Sequence, residues 1–227
     1  MSVYLFQLGH QPLLSQAEIR VVLATQNNKI LNERVTGDFL LLETKSELSP
    51  ADLIKQLGGT VKIMAQLPDV KPTAKDIANY LYIHIPDGKI NFSLSGAPFA
   101  LNVKKELKTL DRSVRYIEPK NSATILHNDL VASASDLLIF DKQVFATAGL
   151  QDLEGFAARD YDRPKIDSKS GMLPPKLARL MINLTGISQD ETLLDPFCGS
   201  GTVLMEAIDL GITDIVGTDL SPKAIEH

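Results

Sequence analysis

The chain has 227 residues, of which 44% are hydrophobic and 22% are charged, a composition typical of a globular protein. Its net charge of −5 and its pI near 5.4 exclude a protein that is basic over its whole surface, although a local basic patch could still bind nucleic acid. No apolar run approaches the ~20 residues of a membrane span, no secretion signal is evident, and the single cysteine, Cys198, excludes an internal disulfide. We therefore expect a cytoplasmic protein with no membrane partner.

The first 67 residues alternate between strand and helix patterns. Strands are predicted at 3–8, 30–35, 38–44 and 61–67, and helices at 15–23 and from Pro50 to Gly58. Ser15 and Glu18 have the spacing of a capping box at the start of the first helix. The resulting β-α-β-β-α-β order is typical of a ferredoxin-like domain, which we expect to span residues 1–67.

A second small α+β domain is predicted at residues 68–150. Its elements are a helix at 73–82, a strand at 89–95, a helix at 101–110, a strand at 113–117 and a hairpin of strands at 136–140 and 144–148. One segment of this domain is basic, with six cations against three anions between positions 104 and 120. The six cations are Lys104, Lys105, Lys108, Arg112, Arg115 and Lys120.

Residues 151–172 lack a sustained period and are predicted to be a linker. A helix with apolar residues at i, i+3, i+4 and i+7 begins at Pro174-Pro175. It is followed by a strand at 191–194, the glycine-rich loop Asp195-Pro-Phe-Cys-Gly-Ser-Gly-Thr202, a helix at 203–210 and a second strand at 214–217 that leads to Asp219. This is the beginning of an α/β Rossmann-like domain, predicted at residues 173–227, and its first two strands should expose apolar residues.

The loop chemistry favours S-adenosylmethionine over a dinucleotide. Dinucleotide folds place a third glycine where the helix packs on the strand, and this chain has Leu204 there. The anionic Asp195 would repel a pyrophosphate and attract the ammonium group of a methionine moiety. An NAD-dependent enzyme is therefore disfavoured, and an ordinary strand–loop–helix junction without a ligand remains an alternative.

The motif Asp-Pro-Phe-Cys-Gly-Ser-Gly-Thr resembles motif I of methyltransferases that modify exocyclic amines of nucleobases. In permuted DNA amino-methyltransferases, a catalytic Pro-Pro-aromatic motif precedes this loop. The only Pro-Pro in the chain is Pro174-Pro175, which is followed by Lys176. The permuted arrangement is thereby disfavoured.

The whole chain resembles THUMP-domain tRNA methyltransferases that act on a guanosine exocyclic amine. The resemblance rests on the opening Phe6-Gln-Leu-Gly-His-Gln-Pro-Leu-Leu-Ser-Gln-Ala-Glu18, on Leu57-Gly-Gly-Thr-Val-Lys-Ile63, on Ser113-Val-Arg-Tyr-Ile-Glu-Pro-Lys120, on Ser122-Ala-Thr-Ile-Leu-His-Asn128, on Arg159-Asp-Tyr-Asp-Arg-Pro164 and on Gly171-Met-Leu-Pro-Pro-Lys-Leu177. It implies a ferredoxin-like domain and a THUMP domain, a linker and then the methyltransferase domain, with tRNA or another structured RNA as substrate.

The resemblance also implies the site residues. Asp195, Gly199 and Gly201 would hold the methionine part of S-adenosylmethionine and Asp219 the ribose, and the full set of cofactor residues is Asp195, Phe197, Cys198, Gly199, Gly201, Thr202, Asp219 and Leu220. The RNA contacts would be the six cations of the basic segment together with His127 and Asn128. Two interpretations of the basic helix are possible. Its residues alone favour lysines that are simply solvated, whereas the family resemblance favours lysines that contact RNA phosphates. His127 could equally cap a helix or fill a pocket.

In that family the catalytic Pro-Pro-aromatic motif follows motif I, and these 227 residues do not contain it. We expect a C-terminally truncated chain in which the residues from 221 on begin another helix. Such a chain should bind S-adenosylmethionine weakly and should not methylate tRNA. The alternative is a non-catalytic RNA-binding adaptor.

The remaining polar residues carry simpler expectations. Cys198 is interpreted as a small residue of the loop and not as a nucleophile. His10 and His84 have no acid or cysteine at metal-ligand spacing, so no metal is expected. Arg159, Asp160, Arg163 and Lys176 are predicted to form a salt-bridged connector, and Glu206 is predicted to be solvated. The sequence makes no prediction about oligomeric state.

Overall fold

A computed structural model describes residues 1–161 and 172–221. Ten strands are assigned in these ranges: β1 Ser2–Leu8, β2 Ile30–Thr36, β3 Phe39–Thr44, β4 Thr60–Gln66, β5 Ile90–Ser95, β6 Val114–Tyr116, β7 Asp136–Phe140, β8 Gln143–Leu150, β9 Leu193–Asp195 and β10 Ile215–Gly217. The helices of the same ranges are α1 Pro12–Thr25, α2 Pro50–Gln56, α3 Ala74–His84, α4 Ala100–Thr109, α5 Ser122–His127, α6 Leu153–Tyr161, α7 Pro175–Thr185 and α8 Thr202–Asp209. Not one of them is both long and apolar enough to cross a membrane.

The predicted β-α-β-β-α-β order of the first 67 residues is confirmed, and so are the elements of the basic segment and the β9–α8–β10 unit. Two helices were missed. Helix α5 buries only Ile125, and α6 buries only Phe156, so neither produces a helical period in the sequence. The predicted helix start after Ser221 and most of the second half of the predicted linker lie outside the described residues.

Strands β1–β8 form one mixed sheet in the order β2-β3-β1-β4-β8-β7-β5-β6. Antiparallel pairing of β4 with β8 joins the strands of the first 67 residues to those that follow. Strands β5 and β6, and β5 and β7, pair in parallel. The domain boundary at position 67 thus falls between two parts of a single sheet, and it remains a prediction.

The chain divides into two compact units. We call the first the sheet unit, which comprises Met1–Gln7, Leu31–Ala51 and Lys62–Leu150. In this unit α3 and α4 pack through Ile77, Leu81 and Leu107 into a core that includes Phe92 and Leu94 of β5. Each of these side chains is at least 97% buried, so the hydrophobic effect fixes both helices on the sheet.

We call the second the helical unit, which comprises Leu8–Ile30, Asp52–Val61 and the described residues after Leu150. Helices α1 and α7 pack together in this unit, and α7 packs on α8. Its C-terminal core contains Ile182, Leu193, Ala207 and Ile212. Segments far apart in the chain therefore build one unit around α7.

The predicted capping box is wrong. Helix α1 begins at Pro12, so Ser15 lies inside the helix and its hydroxyl donates to the Gln11 carbonyl at 2.9 Å. Glu18 is fully buried and accepts the N–H groups of Gly58 and Gly59, each at 2.8 Å, and the Asn183 side-chain amide at 2.7 Å. The Glu18 carboxylate therefore joins α1, the turn after α2, and α7.

Candidate cofactor-binding site

The glycine-rich loop joins β9 to α8 and lies beside the end of β10. Strands β9 and β10 are parallel, with Asp195 opposite Gly217. Two backbone hydrogen bonds extend this pairing into the loop: the Thr218 N–H donates to the Asp195 carbonyl, and the Cys198 N–H donates to the Thr218 carbonyl, both at 2.9 Å. The carboxyl ends of both strands therefore meet at the loop, where ligands of open α/β sheets bind.

Gly199 and Gly201 are required by the backbone. Their φ angles are +51° and +81°, in the left-handed region that favours glycine, and Gly201 is the N-cap of α8. A Cβ added at either position would meet no atom within 4 Å. The loop is consequently open on this side, so that a ligand can approach its backbone.

Two carboxylates flank the loop. Asp195 Oδ1 accepts the Phe197 N–H at 3.1 Å, and no described residue donates to its second oxygen, Oδ2. Asp219 Oδ2 accepts the Gly199 N–H at 3.0 Å, and its Oδ1 accepts the Ser221 N–H at 2.8 Å. Asp195 is thus available to a cationic group, whereas Asp219 already holds the loop and keeps only its remaining lone pairs for a ligand.

Cys198 is a packed residue of the loop. Its side chain is 8% exposed, and burial, together with the nearby charges of Asp195 and Asp219, raises the pKa of its thiol. A raised pKa reduces the thiolate fraction, which is the nucleophilic form. This environment agrees with the interpretation of Cys198 as a structural loop residue.

Close approach of α8 to β10 is provided by Gly217. A Cβ at this position would lie 2.5 Å from Leu204 Cδ1 and 3.1 Å from Cys198 Sγ. In the dinucleotide fingerprint the corresponding small residue is on the helix. Here the glycine, Gly217, is on the strand, and the helix has the larger Leu204 at the contact. The close packing of helix on strand is therefore achieved without the third helix glycine of the dinucleotide fingerprint.

The remaining predicted cofactor residues differ in exposure. Phe197 is 79% exposed and Leu220 is 94% exposed, whereas Thr202 is buried. Apolar residues are also exposed along the strands, as predicted: Leu194 and Val216 are 61% and 44% exposed. Apolar side chains are thus exposed on the loop, on the two strands beside it and just after Asp219.

The expectation that Glu206 is solvated is wrong. Glu206 lies on α8 with no exposed surface, and its carboxylate accepts Arg159 Nε at 2.6 Å and Arg179 Nε at 2.7 Å. The predicted salt-bridged connector is thereby confirmed for Arg159. Lys176 instead donates to Gln151 Oε1 at 2.7 Å, and burial lowers the pKa of its ammonium group. Arg163 lies outside the described residues.

The basic segment divides into solvated and structural cations. Four are exposed, namely Lys105, Lys108, Arg115 and Lys120, and Lys104 is half-buried. Arg112 is engaged within the protein: it donates to the Ile85 carbonyl at 2.7 Å and the Gly88 carbonyl at 3.1 Å, and its guanidinium lies 5.4 Å from the centre of the Tyr82 ring. Arg112 is therefore better suited to holding the start of β5 than to contacting a ligand.

His127 and Asn128 end helix α5. His127 is exposed in the last turn, and the Asn128 side chain donates to the Thr124 carbonyl at 2.8 Å. The Asn128 side chain thus provides a hydrogen-bond donor for one of the free carbonyl groups at the end of α5. Among the residues that the structure describes, no group of three or more His, Cys, Asp and Glu side chains could hold a metal ion.

The family comparison matches residues 163–219, which contain the loop, to the UPF0020 model, described as an RMKL-like methyltransferase domain. Two curated relatives are tRNA (guanine(10)-N2)-dimethyltransferases. The one from Methanothermobacter thermautotrophicus is 29% identical over 146 residues, 56% of this chain and 40% of the relative. The one from Pyrococcus abyssi is 36% identical over 75 residues, 31% of this chain and 22% of the relative.

The fold also resembles a solved structure. PH1313 from Pyrococcus horikoshii matches 96% of this chain and 67% of its own chain, with a TM-score of 0.50 and 11% sequence identity. At this identity the likeness concerns the fold alone. The family match relates residues 163–219 to methyltransferase domains, and the matched regions span at most 40% of the two curated relatives.

Proposed function

We propose that this chain belongs to an S-adenosylmethionine-dependent RNA methyltransferase that acts on the exocyclic amine of a guanosine in tRNA. The observation that carries the proposal is the pair Asp195 and Asp219 on either side of an open glycine loop, inside the region matched by a methyltransferase family model. The names of the curated relatives support the choice of tRNA guanine as the target.

The donor set fits S-adenosylmethionine. Asp195 presents a carboxylate oxygen to the ammonium of the methionine part, and the backbone around Gly199 and Gly201 is open to it. Asp219 is placed for the ribose hydroxyl groups, which can share its remaining lone pairs. Exposed Phe197 and Leu220 offer apolar surface to the adenine.

When bound, S-adenosylmethionine supplies an electrophilic methyl group, and transfer to an amine depends mainly on positioning. The 227 residues hold no Pro-Pro-aromatic motif that would bind the target amine, so the proposal assigns cofactor binding, and not base binding, to this chain.

The proposal assigns RNA binding to the sheet unit. The exposed Lys105, Lys108, Arg115 and Lys120 can contact phosphates without reading bases. In this interpretation residues 1–67 form a ferredoxin-like domain, residues 68–150 a THUMP domain and residues 151–172 the linker to the methyltransferase domain. The cellular setting would be the cytoplasm.

The test is a titration followed by amide NMR of the ¹⁵N-labelled chain, since this method detects weak binding. S-adenosylmethionine and S-adenosylhomocysteine should shift the amide signals of Gly199 and Gly201, and NAD should not. Shifts caused by NAD, or none with either S-adenosyl compound, would contradict the proposal. Binding of tRNA with no cofactor-induced shift would instead favour the RNA-binding adaptor.

A further inference from the structure

Helix α8 is held by a cluster of charges around the buried pair Glu206 and Arg179. Glu206, in the second turn of α8, receives one guanidinium on each carboxylate oxygen: Arg159 of α6 on Oε1 and Arg179 of α7 on Oε2. Arg179 also pairs with Asp209, and Arg159 Nη2 lies 3.9 Å from Asp209 Oδ2. Two acids one turn apart on α8 are thus fixed by arginines from two different helices.

The arginines are themselves fixed. Their Cζ atoms lie 4.7 Å (Arg159) and 4.9 Å (Arg179) from the centre of the buried Phe156 ring. Arg179, with 4% of its side chain exposed, also donates to the carbonyl of Lys55 at the end of α2. Because each guanidinium is planar and has several partners, neither can follow a movement of α8 without losing hydrogen bonds.

Apolar packing of α8 is one-sided and only partly buried. Ala207 is its buried hydrophobic residue, and Leu204 and Val203 pack on the core while partly exposed. The pairing of Glu206 with an arginine on each carboxylate oxygen adds a directional constraint to this packing, because it is satisfied in one orientation of the helix. Buried ion pairs are weak sources of net stability, but they can select one arrangement.

The rotation of α8 matters because Gly201 is its N-cap and Gly199 lies two residues earlier. We propose that Glu206 is a positioning residue for the cofactor loop, which acts through Arg159 and Arg179. This inference rests on the proposed function. It assigns a part in cofactor binding to Glu206, a buried residue that does not line the open side of the loop.

The experiment compares Glu206→Gln with Glu18→Gln in the full chain. Both substitutions replace a fully buried carboxylate in the helical unit by its amide. Glu18, however, accepts its hydrogen bonds from Gly58, Gly59 and Asn183, and it is related to the charges around α8 through the charge of Arg179 and not through a hydrogen bond. Two measurements are made well below the unfolding temperature. They are the dissociation constant for S-adenosylhomocysteine and the hydrogen-exchange rate of the Gly199 amide, which donates to Asp219.

We expect Glu206→Gln to weaken S-adenosylhomocysteine binding about five-fold, since the loop loses preorganisation, and to accelerate Gly199 exchange by a similar factor. Glu18→Gln should change neither by more than about two-fold. Equal effects of both variants, or none of Glu206→Gln on Gly199 exchange, would overturn the positioning role. A wild-type chain that does not bind S-adenosylhomocysteine would contradict the proposed function, and the exchange rates would still test the inference.

Discussion

The Asp219 carboxylate, two residues after the end of β10, accepts the backbone N–H of Gly199 at 3.0 Å and so connects the end of this strand to the middle of the glycine loop. A hydrogen bond to a charged group contributes about 1.5–3 kcal/mol, which is enough to decide whether a short loop is ordered. Asp219 therefore has a structural part in the loop besides the ribose contact proposed for it.

Replacement of Asp219 by alanine should weaken S-adenosylhomocysteine binding by about ten-fold or more, because about 1.4 kcal/mol corresponds to a factor of ten. Calorimetry or NMR titration measures this change. Asp190→Ala, which removes the same charge from an exposed position of the same unit, is the control and should leave the affinity unchanged. Equal affinities of wild type and Asp219→Ala would show that the carboxylate is dispensable.

Gly217→Ala should destabilise the helical unit by about 1–3 kcal/mol, because the new methyl group overlaps Leu204 and Cys198. Gly199→Ala should also destabilise it, by about 1–2 kcal/mol, but for a different reason: its φ is +51° and no atom is near. Urea unfolding measures both. Leu204→Ala should relieve the destabilisation caused by Gly217→Ala and should not relieve that caused by Gly199→Ala. Purely additive free energies of unfolding for Leu204→Ala and Gly217→Ala in a double-mutant cycle would contradict this packing.

Replacement of Lys105 and Lys108 together by alanine should weaken tRNA binding, since both lysines are exposed on α4. If each contacts one phosphate, the slope of log K against log salt should become shallower by about 0.7–0.9 per lysine. Lys29→Ala with Lys45→Ala removes the same charge from exposed positions elsewhere and is the matched control. A slope that both double variants reduce alike would indicate general charge attraction.

The stability of the helical unit should depend on the protonation of Glu18. Burial raises the pKa of this carboxyl above its ordinary value of 4.5, and the hydrogen bonds from Asn183, Gly58 and Gly59 and the positive charge of Arg179 oppose the rise. Between the unfolded and folded pKa values the folded state binds more protons, so this contribution is full below pH 4.5 and is lost as the pH rises through the folded pKa.

Urea midpoints of wild type and Glu18→Gln, measured from pH 4 to pH 7, test this expectation. The difference between the two proteins should change across the window, with wild type losing stability relative to the variant as the pH rises. A relative gain of wild-type stability with rising pH would mean that the hydrogen bonds and the charge of Arg179 outweigh burial and that the pKa of Glu18 is lowered.

Cys198 should react slowly with iodoacetamide in the folded protein and faster after unfolding, because burial and two nearby carboxylates raise the pKa of its thiol. Cys198→Ser should retain S-adenosylhomocysteine binding within about two-fold, as expected for a residue with a packing role. Rapid alkylation of the native thiol would contradict the raised pKa and reopen the question of nucleophilic chemistry.

The loop could be predicted because its determinants are local. Gly199 and Gly201 are needed for a left-handed backbone at fixed positions, and the two strands around the loop are short apolar runs. The elements of the sheet unit could be predicted for the same reason, since each large apolar face gives its own period.

The buried charges could not be predicted, because their partners are distant in the sequence. Glu206 is 47 residues from Arg159 and 27 from Arg179, and nothing around it distinguishes it from a solvated acid. The role of Glu18 was missed for a second reason: its spacing from Ser15 imitates a capping box. Pro12, a proline at the first position of the helix, was the available signal for the true start.

The helical unit is assembled from segments that are far apart in the sequence, and this affects how the chain folds. Glu18 and its partner Asn183 are 165 residues apart, so α1 is synthesised long before the helix that completes its surroundings. Loop closure over such a separation is slow, and the apolar face of α1 stays exposed in the meantime. Refolding should therefore proceed in at least two phases, in which the sheet unit forms first and the glycine loop becomes ordered only in the slower step.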